Sequence, residues 1–175
     1  MKKTVCLSAV VLSLFTMDLN AETVIYENMM TTPMLVQQWR HSNLLEFQPK
    51  GGPKDEPAVF MNKTVVNNNI PSFLLKLDKV AGESLTFSMD VKMEDVKEQP
   101  QDWYGVTMLI NVTMPDGQVK YLSDIKRNDR FGTCSWKTLK TSADIPDDAK
   151  KVTIAFGITG TTGKATFANL KVTAE

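Results

Sequence analysis

Hydrophobic and polar residues alternate with a period of two along much of the chain beyond residue 80. In the segment LTFSMDVKM, every second residue from Leu85 to Met93 is apolar. Successive side chains of a β-strand point to opposite faces, so this pattern predicts a strand with one buried face. The same alternation predicts further strands at residues 73–77, 106–114, 139–145 and 152–158.

Residues with strong turn preferences separate these strands. Pro115, Asp116 and Gly117 stand between two apolar runs, which predicts a hairpin over residues 105–122. Further along, Pro146 marks the end of another strand, and the glycine-containing segment GTTGK precedes the last one. In that last strand the apolar phase slips by one residue. A β-bulge near Ala168–Asn169 would restore the alternation on both sides.

The architecture expected from these elements is all-β. About nine or ten short strands without helical crossovers predict two packed antiparallel sheets, a β-sandwich. One helix signal occurs at residues 32–41, where Thr32 would be the cap and Leu35, Val36 and Trp39 would share a face. This segment is either a short helix or a loop. Residues 48–57, rich in Pro, Gly and charge, are expected to form an exposed loop within one domain rather than a boundary.

The first 21 residues have the pattern of a secretory signal peptide. Lys2 and Lys3 precede an apolar run from Val5 to Phe15, and Ala21 offers a small residue for cleavage. The run is roughly half of the 20 residues that a membrane span needs. Leu19 is an unfavourable residue near the cleavage point, which keeps an uncleaved anchor as the alternative. We expect residues 22–175 to form a single secreted or periplasmic domain with no membrane contact after cleavage.

Charge and cysteine content narrow the class further. The chain has 20 basic and 20 acidic side chains and no net charge, so it lacks the positive field that nucleic acid would select. Cys6 belongs to the leader, and Cys134 is then the only remaining cysteine. We expect Cys134 to be a buried small hydrophobe rather than a reactive or intermolecular thiol.

Three segments of the second half resemble a known group of proteins. They are GESLTFSMDVKMEDV, DWYGVTMLINVTMPDGQVKYL and the stretch from GTCSWKTLK to the end of the last strand, which together span residues 82–173. In order and spacing they resemble jelly-roll carbohydrate-binding modules with a galactose-binding-like fold. The resemblance implies a jelly-roll sandwich and a structural role for Trp136, which would pack in the core at the start of its strand.

The resemblance also bears on calcium. Many such modules end with a pair of aspartates after the last aromatic residue, and one of them often supports a structural calcium ion. Here Ala168 and Asn169 follow Phe167. A side-chain amide or a backbone carbonyl can still ligate calcium, but the carboxylate charge is lost, so we predict no cofactor and leave a structural calcium ion as an alternative that we do not predict.

Signals for catalysis are weak. The chain has a single histidine, His41, so metal sites built on several imidazoles are excluded. We expect His41 to be a solvated loop residue. No phosphate-binding glycine loop or nucleophile elbow is present. Two carboxylate pairs, Asp147 with Asp148 and Asp124 with Asp129, could serve acid–base chemistry on a glycan, but both lie in turn-like segments and are expected to be solvated.

Binding of a sugar needs an exposed aromatic face with polar groups beside it. Trp103 and Tyr104 are adjacent at the start of a strand, where at most one can face inward, and we expect Trp103 to be exposed. If the neighbouring strands are adjacent in one sheet, their polar faces would add further ligand-binding residues. The predicted binding set is Trp103, Tyr104, Asn111, Asp90, Lys92 and Tyr121.

The sequence therefore favours a non-catalytic exported protein that binds a glycan or polysaccharide. The alternatives are a structural or interaction protein whose partner is a protein of the cell envelope, and a small jelly-roll glycan hydrolase or lyase. Asn62 and Asn111 lie in N-glycosylation sequons, which matter only in a host that adds N-glycans. The particular glycan cannot be predicted from these patterns.

Overall fold

The structure is a computed structural model that describes residues 22–28, residue 30 and residues 39–175. The predicted signal peptide lies outside the described residues. The described residues form ten strands. They are β1 (Thr23–Asn28), β2 (Glu46–Gln48), β3 (Ala58–Lys63), β4 (Ser72–Leu74), β5 (Ser84–Val96), β6 (Gly105–Thr113), β7 (Val119–Leu122), β8 (Gly132–Asp144), β9 (Lys151–Thr159) and β10 (Gly163–Ala174).

The strands form two antiparallel sheets that pack face to face. The six-stranded sheet has the order β2-β3-β10-β5-β8, with β1 also paired to β10. The four-stranded sheet has the order β4-β9-β6-β7. Three 3₁₀ turns, Ser42–Leu44, Leu77–Lys79 and Arg127–Asp129, lie in the connections. The predicted all-β, two-sheet sandwich is confirmed.

The strand predictions are confirmed in four of five segments. The exception is residues 73–77, where β4 ends at Leu74 and a 3₁₀ turn begins at Leu77. The predicted hairpin is present, with Gly117 at φ 85° and its N–H donating to the Met114 carbonyl over 3.0 Å. The β-bulge in the last strand is also present. Asn169 has φ 53°, and the register between β10 and β5 shifts there.

The core lies between the two sheets and contains the apolar faces of β5, β6, β9 and β10. Its largest fully buried aromatic residues are Phe87, Phe156 and Phe167. Trp39 joins them at 4% exposure, and its ring stacks on Phe73 with centroids 5.6 Å apart and meets Phe156 edge-on at 5.4 Å. Burial of these rings supplies much of the hydrophobic stabilisation.

The prediction that Trp136 is largely buried is wrong, because Trp136 is only half-buried. Cys134 is also half-buried, but it packs against the hydrophobic core, so its prediction as a small hydrophobe is confirmed in part. The register of β8 against β5 shifts between Cys134 and Lys137, so that Ser135 and Trp136 together face a single residue of β5. Leu139 and Thr141 are the buried residues of β8, and Trp136 is one residue out of phase with them, so the alternation of this strand does not turn its ring into the core.

The predicted helix at residues 32–41 falls mainly outside the described residues, because residues 31–38 are not described. Its last residues do not continue a helix. Trp39 lies in a bend, and Arg40 forms an isolated bridge to Ser72. Within the part of the chain that the structure describes, no helix has the length and apolar character needed to cross a membrane.

Candidate functional site

A cleft of about 720 Å³ lies on the outer face of the four-stranded sheet. In β6 the even-numbered residues Val106 to Val112 are fully buried in the core, so Thr107, Leu109 and Asn111 face the opposite way. The cleft uses that outward face as its floor and loops as its walls. Its lining consists of Arg40, His41, Asn68, Asn69, Ile70, Ser72, Trp103, Thr107, Leu109, Asn111, Tyr121, Ser123, Arg130, Ala155 and Thr159.

Trp103 stands at the edge of this cleft with 66% of its surface exposed. The prediction that it lies at the surface is confirmed. Its backbone is held in place, since the hydroxyls of Thr107 and Thr159 each lie 3.4 Å from the Trp103 carbonyl oxygen and 3.0 Å from each other. Both threonines are buried. Trp103 is therefore an exposed ring on a fixed backbone, which is what a stacking surface requires.

Tyr104 lies behind Trp103 and does not line the cleft. Its ring meets the Trp103 ring edge-on, with centroids 6.0 Å apart and planes at 75°. Tyr104 also packs tightly on Gly160, which has φ 60° and where a Cβ atom would overlap the tyrosine ring. Of the two adjacent aromatic residues, one is exposed and the other is half-buried, as the sequence predicted. Tyr104 supports Trp103 from behind.

Arg127 fixes the loop that carries Trp103. Its guanidinium donates to the carboxylates of Asp102 at 2.7 Å and Glu98 at 3.0 Å, and to the carbonyl of Gln99 at 2.6 Å. It also lies over the Phe131 ring at 5.2 Å. The hydrogen bonds to Glu98 and Asp102 raise the pKa of Arg127, so it stays charged. The side chain of Arg127 therefore holds several residues of the loop that carries Trp103.

We expect Arg127→Met to weaken ligand binding several-fold, because the Trp103 loop would lose its anchor. The melting temperature should change little, since ion pairs with exposed partners contribute weakly to stability. Lys126→Met removes the same charge from the neighbouring exposed residue and serves as the control. Titration and melting curves of both variants check this, and equal effects of the two changes would contradict it.

Another wall of the cleft is formed by Asn68, Asn69 and Ile70, in the loop that precedes β4. Lys63, which is 6% exposed, reaches into this loop and donates to the Asn67 side-chain oxygen at 2.7 Å and to the Asn69 carbonyl at 2.8 Å. Burial lowers the pKa of Lys63. The loop also lies close to β9, where a Cβ atom on Gly157 would stand 2.8 Å from Ile70.

Asn111 and Tyr121 face each other across β6 and β7. They are paired in register, and both line the cleft, so the prediction that they share a face is confirmed. Tyr121 is 68% exposed. The side-chain oxygen of Asn111 is buried and accepts no hydrogen bond within the part of the chain that the structure describes. Such an acceptor is costly to leave unpaired, and a donor from a ligand would satisfy it.

Arg130 lies beside them, at 5% exposure. Its Nε donates to the Ile125 carbonyl at 3.0 Å, and its two Nη atoms donate to Val106, Thr107 and Ser123 over 3.2–3.4 Å. Burial lowers the pKa of Arg130, and the charge of Asp102 opposes this to a smaller extent. Gly105 permits the close approach of this segment, because a Cβ atom there would stand 2.5 Å from the Arg130 carbonyl oxygen.

The structure does not bring Asp90 and Lys92 to the cleft. Both are in β5, which belongs to the six-stranded sheet, whereas Asn111 and Tyr121 belong to the other sheet. The expectation that all four share one sheet face is therefore wrong. β5 and β6 are consecutive in the chain, but the segment between them crosses from one sheet to the other. Asp90 instead accepts hydrogen bonds from Thr138 and Asn169.

Asn169 occupies the place where the resemblance would suggest a calcium ligand. Its amide nitrogen donates to Glu56 at 3.0 Å and to Asp90 at 2.8 Å, so a hydrogen-bond donor stands between the two carboxylates. The hydrogen bond from Asn169 is the main reason why the pKa of Glu56 is lowered. The side-chain oxygen of Asn169 is buried and accepts no hydrogen bond from the described residues. Among the described residues, no cluster of three or more His, Cys, Asp or Glu is placed to hold a metal.

We expect Asn169→Asp to lower the melting temperature by several degrees in a metal-free buffer, because three carboxylates would then meet without a donor between them. Added calcium should restore part of that loss, since carboxylates are its preferred ligands. The wild-type protein should melt at the same temperature with calcium or with a chelator. A wild-type protein that needs calcium for its stability would contradict this account of Asn169.

The cleft contains no catalytic constellation among the described residues. No carboxylate lines it, so the acid and base that glycan hydrolysis uses are missing from this surface. Asp124, one of the candidate carboxylates, accepts a hydrogen bond from the backbone N–H of Ser142 at 2.9 Å. Asp147 and Asp148 are exposed in the turn before β9. The arrangement suits binding through stacking and hydrogen bonds.

Comparisons with known proteins bear on the fold. No protein-family model and no curated protein matches the chain. Solved structures do match. The CBM22-1 xylan-binding domain of Paenibacillus barcinonensis Xyn10C is similar with a TM-score of 0.67 and 11% identity, over 88% of this chain and 96% of that one. A xylan-binding domain of family 22, formerly the x6b domain, is similar with a TM-score of 0.66 and 16% identity, over 87% and 95%.

A third similar structure is larger. The family 22 and glycoside hydrolase modules of Clostridium thermocellum Xyn10B, complexed with xylohexaose, match with a TM-score of 0.65 and 10% identity, over 89% of this chain and 29% of that one. At these identities the similarity establishes the fold. The protein has the β-sandwich of carbohydrate-binding modules, as the sequence resemblance implied.

The sequence pointed to three of the residues that line the cleft, Trp103, Asn111 and Tyr121. It missed Arg130, because a charged residue after a polar turn gives no sign of burial. It also treated His41 as a loop residue, whereas His41, at φ 58°, lines the cleft with Arg40. Asn68 and Asn69, from a run of three asparagines, line the cleft, and their amides are polar groups of the kind that orient a ligand in such a site.

Proposed function

We propose that this protein is an exported, non-catalytic glycan-binding protein whose ligand lies in the cleft of the four-stranded sheet. The observation that carries the proposal is the pairing of two exposed aromatic rings, Trp103 and Tyr121, with a buried unpaired acceptor on Asn111 between the cleft walls. The apolar face of a pyranose would stack on the rings, and a sugar hydroxyl would donate to Asn111.

We propose the class of glycan from the ligands that are named for the similar solved structures. Two of the similar structures are described as xylan-binding and a third was complexed with xylohexaose, so chains of xylose are the first ligands to test. The cleft volume of about 720 Å³ is within the range of small-molecule sites and suits a few sugar units. Several sugar units in contact with the cleft would compensate for the modest binding free energy that each unit contributes.

Isothermal titration with a panel of xylo-, cello-, manno- and uronic acid oligosaccharides tests the proposal. Binding of at least one of them, lost on mutation of the cleft and retained on mutation of the six-stranded sheet, is the expected result. Absence of binding to any soluble or insoluble glycan would contradict it. Export would be tested by fractionation of the producing cells, with the protein expected outside the cytoplasm and shortened by its first 21 residues.

One feature favours a protein partner as the second candidate. Val65 and Val66, which are consecutive, expose 63% and 61% of their surface on the loop that leads to the cleft wall. Exposed apolar residues of this kind occur at contact sites with envelope proteins. A Val65→Ser, Val66→Ser double variant should lose association with the cell envelope under this alternative, whereas glycan binding in the cleft would be unchanged.

A further inference from the structure

Apart from Tyr121, the ionisable side chains that line the cleft are basic. They are Arg40, His41 and Arg130, and no Asp or Glu of the described residues lines the cleft with them. Arg40 is exposed and forms no ion pair with any of the described residues. The neighbouring residues 31–38, which the structure does not describe, contain no Asp or Glu in their sequence. The protein as a whole has no net charge, so this positive cleft is a local feature.

Of the two arginines, Arg130 has the surroundings that argue more strongly for an anionic ligand. A guanidinium carries five N–H donors. Here its four hydrogen-bond acceptors are two backbone carbonyls and two hydroxyls, all of them neutral. The bonds from its Nη atoms measure 3.2–3.4 Å, whereas charge-assisted bonds to a carboxylate are usually about 2.7–2.9 Å. The charge of Arg130 is buried and has no direct anionic partner among the described residues.

The charge of the Asp102 carboxylate also acts on Arg130, but this carboxylate already has a partner. Asp102 forms an ion pair with Arg127 at 2.7 Å and is itself largely exposed. An unpaired buried charge is costly, and an anion that enters the cleft would offset that cost. Ser123, which accepts from Nη2 of Arg130, lines the same cleft, so a ligand that displaces this hydroxyl would reach the guanidinium.

We infer that the cleft binds a glycan that carries a carboxylate, so that a uronic acid residue pairs with Arg130 and Arg40 while a neighbouring sugar stacks on Trp103. This inference rests on the proposed glycan-binding function and narrows it. A carboxylate would accept a charge-assisted hydrogen bond from Nη2 of Arg130, the nitrogen that Ser123 would release, and this favours a carboxylate over a neutral hydroxymethyl group. The absence of acidic residues from the cleft lining removes the repulsion that such a ligand would otherwise meet.

The test uses matched pairs of oligosaccharides that differ only in charge. One pair is a xylo-oligosaccharide with a glucuronic acid branch and the same compound with its carboxyl reduced to an alcohol. The second pair is an oligogalacturonide and its carboxyl-reduced form. In at least one pair the acidic member should bind about tenfold more tightly, equivalent to roughly 1.4 kcal/mol, and added salt should reduce the difference.

Variants that remove one charge show which residues cause the preference for the acidic oligosaccharide. Arg130→Gln and Arg40→Gln should each reduce the preference for the acidic member, and the exposed Arg40 provides a variant that keeps its fold if Arg130→Gln does not. Lys140→Gln removes an equal charge from β8 in the other sheet and should keep the preference. A sulfated xylo-oligosaccharide should bind more weakly than the uronic acid form.

The outcomes separate the two proposals. If acidic and reduced members bind equally, or if the sulfated compound binds as well as the uronic acid form, the carboxylate inference is overturned while glycan binding stands. If a neutral oligosaccharide binds more tightly than every acidic one, the inference is likewise overturned. If no member of either pair and no neutral oligosaccharide binds, both the inference and the proposed function fail.

Discussion

Trp39→Ala should lower the free energy of unfolding by about 3–5 kcal/mol, the usual loss when a buried aromatic side chain is removed. Trp39 is 4% exposed and contacts the rings of Phe73 and Phe156, so its removal would leave a cavity that these neighbours cannot fill. Its indole N–H also donates to the Tyr26 hydroxyl at 3.3 Å. Chemical denaturation gives the free energy directly.

The control for this prediction is Trp136→Ala. Trp136 is half-buried at a bulge of β8, so its loss should be much smaller, on the order of 1 kcal/mol. The same residue type is removed in both cases, which isolates the effect of burial. Equal losses, or a larger loss for Trp136→Ala, would contradict the assignment of Trp39 to the core.

Trp103→Ala should have the largest effect on binding. We expect the affinity for a cleft-binding oligosaccharide to fall by roughly 1–3 kcal/mol, the range found for aromatic stacking surfaces. The melting temperature should stay nearly unchanged, because the side chain is 66% exposed and contributes little to the core. Tyr121→Ala, at the other exposed ring, should weaken binding in the same direction.

Trp136→Ala again serves as the control, this time for binding. Its position in the six-stranded sheet predicts that affinity is retained. If Trp103→Ala folds and binds normally, the glycan does not lie in this cleft. If Trp103→Ala unfolds the protein, Trp103 is a core residue and its description as a stacking surface is wrong.

The strands and turns could be predicted from the sequence because they depend on local patterns. A period of two identifies which residues of β5 or β6 share a face, and the turn at Gly117 needs a residue that tolerates positive φ. The bulge at Asn169 was predictable for the same reason, since a slip in alternation is visible in the chain itself. The exposure of Trp103 could be predicted because it follows a polar segment and is adjacent to a second aromatic residue, and only one of the two, Tyr104, is half-buried.

The incorrect predictions concern contacts between distant segments, which the pattern within one strand does not determine. Alternation places Asp90 and Asn111 on the polar faces of their strands, but it does not say which strands pair, and β5 and β6 lie in different sheets. Arg130 reaches the cleft because Gly105 lets its segment approach β6. The prediction for Trp136 followed from a motif resemblance, but Trp136 is one residue out of phase with the buried residues Leu139 and Thr141 of its strand.

The three tryptophans allow the most direct test of the glycan-binding cleft. Their indole N–H resonances report on the core at Trp39, the cleft at Trp103 and the six-stranded sheet at Trp136, and substitution of each by phenylalanine assigns them. On titration with an oligosaccharide that binds, the Trp103 resonance should shift strongly and saturably while the Trp136 resonance stays in place. A shift of the Trp136 resonance with an unchanged Trp103 resonance would place the ligand on the other sheet and contradict the account.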